Sequence, residues 1–293
     1  ACAITASAAV LPNIIPPSIA LLILAAVSNL SVGDLWLAGV GPGILMTVCL
    51  MVMVFFVVRA RGLDAPGERA RAAERTRAFV RALPVLVLAV IILGGIRFGV
   101  VTPTEAGVLA VAYSLFLGFG IYRNYSLGEL WTTIRESAIE AALIGLLIGA
   151  AAPFAFVLVS QQVPQDITAA ILEISSNPIL VLLIVNILLL AFGMVLDIGA
   201  GILILTPLIL PLMTKLGYDP VHVGLVIVVN LMIGGLTPPV GMLAFVTSTV
   251  SRTPVHKIFA AILPFLGALL VALLVVSYVP GVSLGLDWLI SGR

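Results

Sequence analysis

The chain has 293 residues, 62% of them hydrophobic and 9% charged, with 14 Lys and Arg against 13 Asp and Glu. Soluble domains carry about 25% charged residues, so this composition, with a mean hydropathy of +1.29, excludes a soluble globular protein and implies an all-α polytopic membrane protein. A net charge of +1, held in short loops, offers no basic surface for nucleic acid.

A membrane-spanning helix needs about 20 apolar residues. Residues 1–33 hold no charge, and 3–29 predict a span interrupted within Asn13-Ile14-Ile15-Pro16-Pro17-Ser18. Residues 35–58 predict an unbroken span ending at Arg59. Residues 59–81 read as an aqueous linker, in which Arg59, Arg61, Arg69, Arg71, Arg75, Arg77 and Arg81 mix with Asp64, Glu68 and Glu74. Spans follow at 82–98, 104–122 and 138–160. The polar stretch 125–137, with Glu129, Arg135 and Glu136, reads as a helix lying in the membrane interface. Residues 178–213 carry one charge, Asp197, near their centre, and Gly193, Gly199 and Gly201 around it mark a place where the backbone turns. This segment is either two full spans or a re-entrant helical hairpin. Residues 221–250 predict a span broken at Thr237-Pro238-Pro239, and 258–279 the last span.

Topology follows from charge. With the hairpin 178–213 re-entrant, the segments 59–81, 123–137 and 250–257 lie on one side and hold eleven of the Lys and Arg; Arg97, Lys215 and Arg293 lie on the other. The richer side is cytoplasmic by the positive-inside rule. The span 258–279 is then the fifth crossing counted on from 35–58. The odd number makes two repeats of opposite orientation. The repeat is visible in the prolines: adding 222 to Pro16, Pro17 and Pro42 gives Pro238, Pro239 and Pro264. The first repeat is short before its Pro-Pro pair and the chain opens inside an apolar stretch, which reads as the C-terminal part of a longer protein. Cys2 and Cys49 lie in apolar stretches without CxxC spacing and read as packing residues.

Paired broken segments in matching halves point to the binding site of a secondary transporter. Proline lacks an N–H and clashes with the preceding turn, so each Pro-Pro pair frees carbonyls that in lipid must meet protein, water or an ion. Thr237 adds a hydroxyl, and Gly234, Gly235 and Gly241 allow close backbone approach; Asn13 and Ser18 flank the first break. The helix halves that start after each break present N-termini suited to a carboxylate. Asp197 is either a helix cap or an ion or gating group. Asn186 and Asn230, in apolar helices, are expected to hydrogen-bond between helices. Glu105 and Glu140 fall near span ends. The small-residue run 145–153 permits close packing, and His222 and His256 fall at span ends without metal-ligand spacing. The chain has no HExxH, GxSxG or Walker sequence, so its reading is not that of an enzyme.

The stretches GMVLDIGAGILILTP (193–207), DPVH (219–222), NLMIGGLTPPVG (230–241) and IPPS (15–18) closely resemble the large membrane subunit of TRAP transporters, the tripartite ATP-independent periplasmic family; TPTEAG (102–107) and Glu136-Ser137 fit as well. The resemblance runs along nearly the whole chain. It implies an inverted-repeat, elevator-type ion transporter with a re-entrant hairpin and broken helices, in the bacterial inner membrane. It also implies sodium-driven uptake of organic acids such as C4-dicarboxylates or sialic acid, with a periplasmic substrate-binding protein and a small four-helix membrane subunit as partners. No cofactor is implied beyond the coupling Na+. The domain reading is 1–58 as the end of a first repeat, 59–81 as cytoplasmic linker, 82–160 as scaffold and interfacial arm, and 161–293 as transport elements of a second repeat. Carried over residue by residue, a second sodium site uses Asp197, Gly199, Gly234, Gly235, Thr237 and Gly241, beside the helix break at Pro238 and Pro239. A first site uses Asn13, Ile15, Pro16, Pro17 and Ser18 with a hairpin upstream of this sequence. One departure is Asp197-Ile198, where the family often has Asp-Pro. A di- or tricarboxylate symporter that needs no binding protein, or a non-transporting membrane remnant, are the other readings.

Overall fold

The computed structural model describes residues 2–62, 71–123, 125–175 and 177–291. Every regular element among them is helical. In chain order these are α1 (Cys2–Ala8), a 3-10 turn (Leu11–Asn13), α2 (Ile19–Ser28), α3 (Val32–Ala60), α4 (Ala72–Arg97) and α5 (Pro103–Leu115), which runs into a π-helical segment (Phe116–Ile121). Then come α6 (Leu127–Ser160), α7 (Val163–Ile174), α8 (Pro178–Gly193), α9 (Ile198–Lys215), α10 (Pro220–Gly234), α11 (Met242–Ser251), α12 (Val255–Tyr278) and α13 (Pro280–Ser291). Six of the described helices are long and apolar enough to cross a membrane: α3, α4, α5 with its π extension, α6, α9 and α12.

The chain divides into two compact units, residues 1–62 with 147–293, and residues 63–146. In the larger unit α10 is the central element. All its residues from His222 to Gly234 are buried, because α3, α8, α9, α12 and α13 pack around it. The smaller unit contains α4, α5 and the first part of α6. It leaves apolar side chains such as Phe79, Val90, Val108 and Leu146 exposed, as lipid-facing helices do.

The 222-residue spacing of the prolines is a structural repeat. In each half two short helices flank a Pro-Pro pair and a long helix with an internal proline follows: α1, α2 and α3 with Pro42, then α10, α11 and α12 with Pro264. Both Pro-Pro bonds are cis. The packing pairs also exchange. Helix α1 packs on α12 as α10 packs on α3, α1 on α11 as α10 on α2, and α1 on α3 as α10 on α12; α3 on α12 is its own counterpart. The hairpin pairings lack mates of like extent among the described residues: α8 and α9 pack on α10 without a counterpart on α1. Helix α2 is covered by α9, whereas the corresponding α11 leaves Met242, Phe245, Val246 and Val250 exposed.

Several boundaries differ from those read in the sequence. Helix α4 starts at Ala72, so Arg75, Arg77 and Arg81 are helical, not part of an irregular linker; Ala and Arg are good helix formers, and Glu74 Oε2 accepts from Arg71 N at 2.9 Å to close the first turn. Hydropathy marks where a helix enters lipid, not where it starts. Residues 63–70 of that linker lie outside the described residues. The interfacial stretch 125–137 and the span 138–160 form one continuous helix, α6, since neither glycine nor proline separates them. Residues 163–174, between the predicted span 138–160 and the hairpin 178–213, form α7, with Pro164 in its first turn, where a missing N–H costs nothing. Glu105 closes α5 as a capping box, its Oε2 accepting from Thr102 N at 2.7 Å.

Candidate functional site: two broken helices and a hairpin tip

The second break is built by the sequence from Gly234 to Gly241. Helix α10 ends at Gly234, and Thr237 N still reaches back to Gly234 O at 2.8 Å. Pro238 and Pro239 then stop the ladder. Among the described residues the carbonyls of Leu236, Pro238, Pro239 and Val240 accept no hydrogen bond. Gly241 restarts the chain as the N-cap of α11 at φ +58°, a left-handed position that suits glycine. A Cβ there would lie 2.7 Å from the Phe259 ring and 3.2 Å from Thr237 O. Thr237 Oγ1 donates to Ile233 O at 2.7 Å, which leaves its lone pairs facing away from the helix. Met242 N donates to no acceptor outside its helix.

The first break has the same anatomy with a different clasp. Ser18 is 1% exposed. Its Oγ donates to Asn13 O at 2.6 Å and accepts from Leu21 N at 3.2 Å, so one hydroxyl closes the break and caps α2. Among the described residues the carbonyls of Ile14, Ile15, Pro16 and Pro17 accept no hydrogen bond. Helix α3 presses on this break: a Cβ on Gly39 would lie 2.5 Å from Ile14 O.

The hairpin turn lies between these elements. Gly193, the last residue of α8, crosses α10 backbone to backbone; a Cβ on it would lie 3.0 Å from Leu231 Cα and 3.1 Å from Gly234 Cα. Asp197 is exposed and caps α9, with Oδ2 accepting from Gly199 N at 2.9 Å. Gly199 faces Ile23 of α2, and Gly201 faces Leu231 of α10. The structure therefore gathers Gly234, Gly235, Thr237 and Gly241 in one break, Asn13, Ile15, Pro16, Pro17 and Ser18 in the other, and sets the tip against both broken helices. No hydrogen bond among the described residues joins Asp197 to either break.

Three other features bear on the site. Asn186 and Asn230 meet, Asn230 Nδ2 donating to Asn186 Oδ1 at 2.8 Å. His222, read as a residue at a span end, is 1% exposed; its Nδ1 lies 2.7 Å from Ser283 Oγ and its Nε2 3.1 Å from Ser277 O. The sequence signal for that placement is Asp219, three residues earlier, whose Oδ1 accepts from Val221 N and His222 N and so fixes the first turn of α10. The smaller unit holds an apolar cavity of about 750 Å³ between α4, α5 and α6 that no charged side chain lines. Cys2 and Cys49 are free thiols.

Two matched helix breaks with open carbonyls flanking one hairpin turn are the anatomy of a secondary transporter. The comparison with known families decides which kind. The family model of the tripartite ATP-independent periplasmic transporter, DctM component, matches residues 1–282. The chain belongs to that family. It is 42% identical over 287 residues to the C4-dicarboxylate TRAP transporter large permease protein DctM of Pseudomonas aeruginosa, covering 98% of this chain and 67% of that protein. It is 37% identical to the sialic acid TRAP transporter large permease protein SiaM of Vibrio cholerae, covering 99% of this chain and 67% of that protein. It is 32% identical to the 2,3-diketo-L-gulonate TRAP transporter large permease protein YiaN of Escherichia coli, over 99% and 68%. The TRAP permease chain described here thus spans about two thirds of the length of these relatives.

Proposed function

We propose that this chain is part of the large membrane subunit of a sodium-coupled, binding-protein-dependent importer of organic acids. C4-dicarboxylates or similar carboxylates are the substrate class, in line with what the named relatives carry. The subunit works in the bacterial inner membrane with a small four-helix membrane subunit and a periplasmic substrate-binding protein. The observation that carries the reading is the set of unbonded carbonyls of Leu236, Pro238, Pro239 and Val240 next to the Thr237 hydroxyl. Hard cations take oxygen ligands, and in a bilayer such carbonyls persist only where something satisfies them. The unbonded carbonyls at 14–17 form the equivalent half of a first site. The amides of Ile19, Ala20 and Met242, at the starts of α2 and α11, donate to no acceptor outside their helices and supply positive ends for a carboxylate. Asp197 and Gly199 would close the second site from the hairpin side.

The exchange of packing pairs supports an elevator arrangement of inverted repeats. In that arrangement the exposed face of α11 receives a first hairpin as α2 receives α9, from the part of the relatives' length that this chain does not span. The test is the thermal stability of the complete large subunit in detergent, with sodium titrated against potassium at constant ionic strength. A ligand at ten times its Kd stabilises by about 1.4 kcal/mol, so a sodium-specific rise in Tm is expected. Thr237→Ala is expected to abolish that rise while expression is retained. Identical curves in the two salts overturn the ion site.

A further inference from the structure

We propose that Asn186 and Asn230 are positioning residues for the second break: their bond sets the height of α10 against α8, and so the place of the open carbonyls of Leu236, Pro238, Pro239 and Val240. The proposal rests on reading that break as an ion site. The two side chains are 2% and 0% exposed. Asn186 Oδ1 accepts from Asn230 Nδ2 at 2.8 Å and from Ser277 Oγ at 3.2 Å, so donors from α10 and α12 converge on one atom of α8. Asn230 Nδ2 also donates to Val226 O at 2.7 Å. Yet Asn186 Nδ2 and Asn230 Oδ1 have no partner among the described residues. A buried donor and acceptor left unbonded cost free energy that two leucines would not, so stability does not account for the pair.

Register does. Around these residues α8 reads PILVLLIVNILLLAFG and α10 PVHVGLVIVVNLMIG. A slip of either helix replaces one branched apolar side chain with another, and apolar surfaces of this kind discriminate register poorly. A single buried asparagine contact discriminates it well, as it does in coiled coils. Gly193 and Gly234 let the two backbones touch and pin the crossing at one end; the asparagine bond, one turn earlier on α10, is the polar contact that holds the rest of the helix in step. Asn230 lies four residues before Gly234, on the same face of α10, and seven before Thr237, just past the helix end. A slip of one residue, about 1.5 Å, would carry Thr237 and the carbonyls after it out of the narrow range in which a hard cation is held.

The test uses the complete large subunit and the double variant Asn186→Leu/Asn230→Leu, which leaves no buried amide alone. Amide hydrogen exchange over 233–243 is expected to quicken at least tenfold with exchange over 258–279 unchanged. The sodium concentration for the half-maximal thermal shift is expected to rise at least tenfold, with Tm in potassium within about 3 °C of wild type. Wild-type exchange over 233–243 overturns the proposal. So does a uniform acceleration that includes 258–279, which is loss of packing. If the wild type shows no sodium-specific shift, the ion-site reading falls, and the exchange result alone decides the positioning role. Ser277→Ala removes one bond to Asn186 without altering α8 or α10. It keeps the test open if the double variant does not fold: faster exchange over 233–243 alone supports the proposal, and unchanged exchange overturns it.

Discussion

Gly234 and Gly193 show how one missing side chain shapes this site. A Cβ on Gly234 would lie 2.7 Å from Gly193 Cα and 2.9 Å from Leu190 O, and neither is the flexible end of a side chain. In lipid, helices associate through such close backbone contact because burial of apolar surface drives little. Gly234→Ala is therefore expected to destabilise the larger unit by about 1–3 kcal/mol through overpacking. Gly145→Ala, where an added Cβ meets nothing within 4 Å, is expected to be neutral. Urea or thermal unfolding of the two variants in detergent measures the difference. The asparagines illustrate what a sequence says about single residues. An interhelical hydrogen bond is legible from Asn186 and Asn230 standing in apolar helices. That they bond each other, 44 positions apart, is decided by the crossing of α8 on α10.

At the scale of elements, the hairpin and the breaks are made by caps and prolines. Asp197 holds the first turn of α9 through Gly199 N, and Ser18 holds α2 through Leu21 N. Asparagine caps as well as aspartate, and alanine does not. Asp197→Ala is expected to lose about 1 kcal/mol of stability together with the sodium response. Asp197→Asn is expected to keep the stability and lose only the part of the response that depends on the carboxylate charge. Melting curves of both variants in sodium and in potassium separate the two effects. An Asn variant that keeps the full sodium response leaves Asp197 as a cap only. The Pro-Pro breaks were legible because proline acts locally, on its own N–H and the preceding turn. The start of α4 at Ala72 and the fusion of 125–137 with 138–160 were not, because a charged residue leaves lipid without leaving a helix. Likewise α7 falls between predicted spans, and its apolar face is held by contact with α9.

At the scale of the whole molecule, the topology turns on whether the hairpin crosses the membrane, which α9 is long and apolar enough to do. Helices α8 and α9 have 16 and 18 residues, about 24 and 27 Å long at 1.5 Å per residue, against a hydrocarbon core of about 30 Å. A hairpin that enters and leaves by one face puts Lys215 outside and Arg252 in the cytoplasm. With Cys2 and Cys49 replaced by Ser, Lys215→Cys is expected to react with an impermeant maleimide in right-side-out vesicles, and Arg252→Cys only after the membrane is opened. The opposite pattern means that the hairpin crosses the membrane.

The sequence by itself determined that the protein is helical, that it lives in a membrane, where its helices break, and that two segments repeat at an interval of 222 residues. Each of these follows from composition or from residues that act on their own backbone. Only the tertiary structure decided that α10 is the buried centre, that Gly193 meets Gly234, that Asn186 bonds Asn230, and that His222 is enclosed by Ser277 and Ser283. Those contacts join positions 41 to 61 residues apart. In chains this uniformly apolar, where every helix offers a similar surface, the partner of a given residue is settled by shape and by a few buried polar atoms.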